Sequence, residues 1–429
     1  SRNDAIREGF HSYSVILSSE GVCTFQRDGV TLAGNQDSSA FIPDTVVRNN
    51  NYVGVARGAS SQFFEGSIQS VVMYNTDQVT PTCYPIEGTF TGDGTIGEDG
   101  VPYKTLQFTT VGKCEWSIPT GVISADAVIV AGGGGGGAWT GAGGGAGGVQ
   151  AHGDVFTSLS STSGLALSGS KYDISVGYGG SGARMSGSST FTTGSNGGDS
   201  SIGSSWIAYG GGVGGSWPDG GTSTQNPNAG DSTVGSGGGA TSGTDVPGSG
   251  NSSSFTVTGG RGFDGGDGGS GQPHSAGGGG GAGGVGADAP SNSTSGSGGD
   301  GVQVNIANSN IWLAGGGGGG IHGTGAGGSD GTVGAGGTGG GGDGSGPNRT
   351  DWSGANSGVT PVGQMGLSGT GGGGGGAGVP SNSGFSSTGG DGGSGIVVVR
   401  YSLSPGAPAI SSVSSGDGSI DVAFTAPSH

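Results

Sequence analysis

The sequence predicts an all-β chain with little or no helix, in which a small β framework carries a bundle of polyglycine II rods. Three observations point there. A short apolar strand runs directly into six consecutive glycines at Val128 to Ala138, VIVAGGGGGGA, and the event recurs at Ile311 to Gly320, IWLAGGGGGG. Of the 114 glycines, 97 fall in residues 131–400, about one residue in three. Apolar, strand-like segments interrupt them: KYDISVGYGG, SSIGSSWIAYGGG, VQVNIANSNIWLAGG and GIVVVRY.

The glycine density matches collagen, but AWTGAGGGAGGVQAHG keeps no strict third-residue period and proline is sparse, which argues against a triple helix. A flexible Gly/Ser linker has no reason to carry Trp206, Trp312 or the run Ile396 to Val399. Fixing a backbone costs roughly 1–2 kcal/mol per residue, with glycine the most expensive type, so order has to come from hydrogen-bonded backbone as well as a side-chain core. In polyproline II geometry the N–H and C=O groups point sideways, and without side chains neighbouring chains approach until those groups bond to each other. Six glycines then give two turns, roughly 19 Å of rod.

The net charge is −18, from 12 basic and 30 acidic residues. Nucleic acid is not expected as a partner, because no basic patch exists to neutralise phosphates, and the acidity is expected to keep a backbone-rich surface soluble. Cys23, Cys83 and Cys114 are an odd set that allows at most one intramolecular pair and matches no metal cluster. No apolar run reaches about 18 residues, so no membrane-spanning segment is expected.

In chain order, residues 1–75 read as strands, first SYSVILSSEGVCTFQRDGVTLAG, then NYVGVARG, then FFEGSIQSVVMYN. The hairpin residues Gly21, Val22, Arg27, Asp28 and Gly29, then Tyr52, Val53 and Gly54, then Phe64, Gly66, Ile68, Val71 and Tyr74 resemble the C-terminal half of a laminin-G-like, concanavalin-type jelly roll. The resemblance implies a packing or glycan-binding module whose first half lies elsewhere. Residues 76–103 read as a turn-rich linker in which TGDGTIGEDG is acidic but lacks EF-hand spacing.

From Thr105 the text changes. TLQFTTVGKCEWSIPTGVISADAVIVAGGGGGGA offers three strands broken at Pro119, and the segment closes with GGSGIVVVRY. Residues 105–402, with Trp116, Pro119, Gly121 and Val122 before the first glycine run and Gly395, Ile396, Arg400 and Tyr401 at the close, resemble the glycine-rich domain of bacteriophage tail fibres and large bacterial surface proteins. They are also similar to tail-tip adhesins whose polyglycine II bundle displays variable loops to a bacterial receptor. The departures are long polar inserts, SWPDGGTSTQNPNAGDSTV and SGPNRTDWSGANSGVTPVGQM. Residues 403–429, with Pro408, Ile410, Val413, Gly416, Asp417, Gly418, Ile420, Val422, Phe424 and Pro427, resemble the opening strands of a fibronectin type III domain, a partial β-sandwich of about two strands.

Glycine-rich text generates false motifs. Several GxGxxG matches occur, but none follows a strand and opens a helix, and Lys113 in VGKC lacks P-loop spacing. Gly259 to Asp264, GGRGFD, matches part of a calcium-binding nonapeptide that needs tandem copies. His11, His152, His274, His322 and His429 are scattered with no close pair, so the sequence supports no metal and no cofactor. No nucleophile elbow or paired acid/base pattern emerges, and the chain is read as a non-enzyme.

Trp206 and Trp312 precede glycine runs inside strands and are expected to be buried against the rods. Trp139, Trp217 and Trp352 sit among turn residues, and an exposed ring flanked by polar groups suits stacking on a sugar face. Trp139, Trp217, Asp219, His322, Arg349, Asp351 and Trp352 are therefore the candidate receptor or glycan contacts. The expectation is a structural and adhesive fibre protein, on the virion or extracellular, that meets a host cell-surface glycan or outer-membrane protein. Other fibre or surface proteins and a homo-oligomer are further expected partners. A bacterial matrix protein with a spacer domain is the alternative, and an ice-binding face the distant one.

Overall fold

The computed structural model describes residues 13–17, 23–27, 30–31, 82–93, 100–155, 163–186, 190–216, 234–241, 247–251, 254–256, 258–271, 274–306, 309–323, 331–346, 361–379, 386–403, 409–417 and 419–425. They contain strands, turns and extended rods, and no helix. The jelly-roll positions from Tyr52 to Tyr74 lie outside them.

The chain divides into two units. In the first, Ser1–Arg7 with His11–Thr80, three strands are described: β1 (Tyr13–Leu17), β2 (Cys23–Arg27) and β3 (Val30–Thr31). They form an antiparallel meander with Tyr13 opposite Arg27 and Gln26 opposite Thr31.

The second unit begins with β4 (Ile86–Thr91), β5 (Pro102–Phe108), β6 (Gly112–Ser117), β7 (Ser124–Val130), β8 (Val149–His152), β9 (Leu165–Ala166) and β10 (Lys171–Val176). The stretch read as a linker over 76–103 thus carries β4 and the start of β5, which pair from Ile86 opposite Gln107 to Thr91 opposite Pro102. Its alternating Ile-Glu-Gly-Thr-Phe-Thr is too short to stand out from turn text without its partner strand. Cys83 and Cys114 are joined by a disulfide, which ties the approach to β4 onto β6.

Further along come β11 (Arg184–Ser186), β12 (Thr190–Thr192), β13 (Ser200–Ile202), β14 (Trp206–Ala208), β15 (Val302–Asn305), β16 (Asn310–Leu313), β17 (Ser387–Thr388) and β18 (Ile396–Ser402). The principal sheet runs β4-β5-β18-β7-β8, with β9 also on β7, and the closing strand β18 lies between β5 and β7. That central place explains its unbroken apolar run, since a strand covered on both faces need not alternate. Val397, Val399 and Tyr401 face one core with Ala127, Ile129, Trp116 and Ile174, while Ile396 and Val398 face a second with Val128, Val130, Val302 and Leu313. The sheet β14-β13-β10-β6 supplies side chains to the first core and the hairpin β15-β16 to the second. Trp206 packs half-buried on the first core, but Trp312 is 44% exposed. It points away because Ile311 and Leu313, its neighbours in the alternation, take the inward face. Arg400 lies opposite Asp126 in register, donates through Nε to its Oδ2 at 3.0 Å and through Nη2 to the Asp154 carbonyl, and stacks over Tyr103. The strand that leads into the first glycine run, β7, and the closing strand β18 are clipped together by that ion pair. Beyond them, β19 (Ala409–Gly416) and β20 (Ser419–Thr425) make an antiparallel hairpin.

From this framework the glycine segments project as rods whose hydrogen bonds rotate with a period of three. The amides of Gly132, Gly133 and Gly134 bond to the carbonyls of Gly198, Gly393 and Gly145, and those of Gly135, Gly136 and Gly137 return to the same three neighbours at Ser195, Gly390 and Ala142. Their carbonyls accept in the same rotation, from Gly211, Gly180 and Gly374 and then from Gly214, Ala183 and Ala377. The rod therefore has six neighbours, three taking its donors and three its acceptors. This is what three residues per turn with sideways-pointing backbone groups dictates. The rods at 141–148, 276–282, 315–320 and 371–378 are likewise bonded on all sides. An added Cβ on Gly134 would lie 2.2 Å from the Gly212 carbonyl oxygen, and on Gly136 2.1 Å from that of Gly375, so no other residue fits without separating the rods.

The outer rods differ. Along 264–270, 297–300 and 332–338 every third residue is exposed, namely Asp264, Asp267 and Ser270, then Ser297 and Asp300, then Thr332, Ala335 and Thr338. Several side chains on such rods cap the amides of the rod beside them. Asp199 Oδ1 accepts from Gly210 N at 2.9 Å, Asn196 Oδ1 from Val213 N at 3.0 Å, Asp300 Oδ1 from Thr338 N at 3.0 Å and Asp343 Oδ1 from Gly336 N at 2.8 Å. The acidity expected to serve solubility thus also closes the edge of the hydrogen-bond lattice.

Candidate recognition site

The rods leave the framework and turn back at its far end, where several chain segments meet. Ala138 N bonds to Ser216 Oγ, the Thr241 hydroxyl to the Thr140 carbonyl, Gly320 N to Gly141 O, and Gly323 N to Val379 O. The small sheet β12-β11-β17 belongs to the same region, because Trp139 N donates to Ser387 Oγ at 2.9 Å. Of the described residues that flank the polar inserts, Ser216, Gly346 and Pro361 lie at this end, with Ser345 bonded to Gly376 and Val362 bridged to Thr388, whereas Val234 and Gly235 lie at the framework end, where Gly235 N donates to Gly210 O beside Tyr209.

Trp139 sits at the first turn of the bundle with φ +73°, a backbone region that a bulky side chain rarely adopts. Its ring is half-buried against Ala138, Ala183 and Met185 with Phe191 beside it, so the exposed ring expected from AWTG is instead a partly buried loop anchor. The positive φ lets the chain reverse at once and lays the indole down on that patch.

The other face of the cluster is histidine. His322 lies with its ring centre 6.3 Å from that of Trp139 and 5.8 Å from that of His274. The backbone fixes the second pairing, since Ser275 and Ile321 form an antiparallel bridge and His322 N donates to the His274 carbonyl at 2.8 Å. Burial, then the neighbouring His274, lowers the His322 pKa from its ordinary 6.5 to about 4. Burial likewise lowers that of His274. Both imidazoles are neutral at neutral pH. His322 Nδ1 is buried and meets no hydrogen-bond partner.

Of the predicted contacts, Trp139 and His322 are thus brought together from positions 183 residues apart, while Trp217, Asp219, Arg349, Asp351 and Trp352 lie outside the described residues. The absence of a close histidine pair in the sequence is corrected in space. His274 was missed although a signal existed: HSAGGGG and GGGGIHG place the two histidines just before one glycine run and just after another, which puts them at one end if the rods are antiparallel. Among the described residues no group of three or more His, Cys, Asp or Glu side chains is arranged to hold a metal ion. Asp264 of GGRGFD accepts from Gly250 N at 2.6 Å, and Arg261 stacks between Phe255 and Phe263, so that segment is engaged in packing.

A shallow cleft of about 880 Å³ lies on the framework, lined among others by Lys113, Glu115, Lys171, Tyr172, Asp173 and Trp206. Its charges are already matched, Lys113 with Asp173 at 2.8 Å and Lys171 with Glu115 at 2.6 Å. It therefore offers no net field to a charged ligand.

The family model described as "Glycine-rich domain" matches residues 109–402, well over half of the chain. The chain belongs to the glycine-rich domain family. The matched span opens between β5 and β6 and closes on the last residue of β18, so the glycine-rich domain contains the whole rod bundle and both strands that clip it shut. Comparison with curated proteins gave no match.

Proposed function

We propose that the chain is an adhesive fibre component, a bacteriophage tail fibre or receptor-binding protein, in which the glycine-rich domain is a rigid scaffold displaying loops to a host cell-surface glycan or outer-membrane protein. One observation carries this reading: rods bonded on all sides hold the framework at one end and gather Trp139, His322 and three of the four described flanks of the polar inserts, Ser216, Gly346 and Pro361, at the other. A lattice of that kind fixes a recognition surface without a large side-chain core, and a surface on rigid elements spends little ordering entropy on binding. The Cys83–Cys114 disulfide supports a place outside the reducing cytoplasm, on a virion or cell surface. The role is binding and structural, without catalysis. The resemblances of residues 1–75 to a laminin-G-like jelly roll and of 403–429 to a fibronectin type III domain fit a modular fibre.

The test is adsorption of the purified, fluorescently labelled chain to bacterial cells. Adsorption that is saturable and falls at least tenfold in the Trp217→Ala/Trp352→Ala double variant or in Trp139→Ala supports display of a receptor site. Absence of adsorption across a panel of envelope types would leave the spacer role of a bacterial matrix protein in its place.

A further inference from the structure

We infer that His274 and His322 form a two-histidine site for a divalent transition-metal ion at the loop-bearing end of the bundle. An imidazole nitrogen binds zinc at about 2.0–2.1 Å, which places the ring centre about 3.2 Å from the ion. Two rings on one ion then stand about 5.2 Å apart at a tetrahedral angle and about 6.4 Å apart in line. The observed 5.8 Å falls inside that interval. The rings are held there by the backbone, through the Ser275–Ile321 bridge and the bond from His322 N to the His274 carbonyl, so little ordering is needed on binding.

The chemistry of the donors selects the ion. Neutral imidazoles present lone pairs without first losing a proton, and they suit zinc, nickel and copper ions rather than calcium or magnesium, which take oxygen. His322 Nδ1, buried and without a hydrogen-bond partner, is the kind of atom that an ion would satisfy. With only two protein ligands the ion keeps coordination positions open for water or a further donor. The site does not depend on the proposed receptor role, because an ion can bind whether or not the chain adsorbs to cells.

The experiment is calorimetric titration of the full chain with ZnCl2 and with NiCl2 at pH 7.5, and with CaCl2 for comparison. One saturable equivalent of zinc and nickel, none of calcium, and an affinity at least tenfold weaker in both His274→Ala and His322→Ala are expected. Trp139 supplies a local reporter: copper should quench its fluorescence, measured as the difference between the parent and Trp139→Phe, and that quenching should disappear in His322→Gln. The far-ultraviolet spectrum of each variant checks that the fold is kept. Absence of a saturable equivalent overturns the inference, as does zinc binding unchanged in both histidine variants, which would move the ion to another part of the chain.

Discussion

The inner and outer rods use the same backbone geometry but different sequences. Inner rods such as 132–137 and 315–320 are unbroken glycine, because each would-be Cβ points at a neighbour's carbonyl oxygen. Outer rods carry a side chain at every third residue, as in GFDGGDGGSG, because one of their three faces looks outward. Where the lattice stops, Asp and Asn carboxyl and amide oxygens replace the missing rod as acceptors for amides. Glycine content alone therefore does not distinguish a linker from a lattice, whereas the interval between non-glycine residues does. Each backbone hydrogen bond contributes about 0.5–1.5 kcal/mol net against about 1–2 kcal/mol of backbone entropy per residue. The rods are therefore close to balance by themselves, and the two apolar cores of the framework supply the margin.

The largest effect is expected at an inner position. Gly134→Val places two methyl groups where the Gly212 carbonyl stands, and loss of the folded domain is expected, read as disappearance of a cooperative thermal transition. A rod that tolerates this change is not packed on six sides. Removing an edge acceptor should cost less. Asp199→Ala strands the buried Gly210 amide, and a loss of about 1–3 kcal/mol in denaturant unfolding is expected. Asp199→Asn, which keeps an acceptor, should recover much of it.

Acid acts on the far end and not on the all-glycine inner rods 132–137 and 315–320, which carry no titratable side chain. The pKa values of His322 and His274 are lowered in the folded chain, as is that of His152 on β8, each through burial first. The unfolded chain then binds more protons below about pH 6.5, so stability is full above that value and falls as pH drops toward about 4 for His322. His322→Gln should flatten part of that slope in thermal melts recorded from pH 7 to pH 4. The smallest effect belongs to an outward position: Ala335→Val on an exposed rod face should change stability by no more than about 0.5 kcal/mol.

Much of this was legible in the sequence. The apolar runs at 128–130 and 396–399 mark the framework strands, and their continuity reflects burial on both faces. The glycine runs implied rods, and the chemistry of a chain without side chains implied their mutual hydrogen bonds. Which rods lie inside was written in the triplet spacing of Asp264, Asp267 and Ser270, but that spacing acquires meaning only once the six-neighbour lattice is known. β4 escaped because a short edge strand depends on its partner. Trp312 was misplaced because the parity of its strand, set by Ile311 and Leu313, decides which face it takes. The meeting of Trp139, His274 and His322 depends on which rods are antiparallel neighbours, and that is a property of the lattice rather than of any one segment.

Backbone hydrogen bonds repeating every three residues order the inner rods. Native-state hydrogen exchange followed by NMR on the full chain tests this order most directly, with amides of 132–137 compared to a free six-glycine peptide. Every one of the six amides is bonded to another rod, so protection at all six, uniform along the run and lost together on global unfolding, is the expected result. Exchange at the peptide rate anywhere along the run would contradict the lattice and leave a flexible chain.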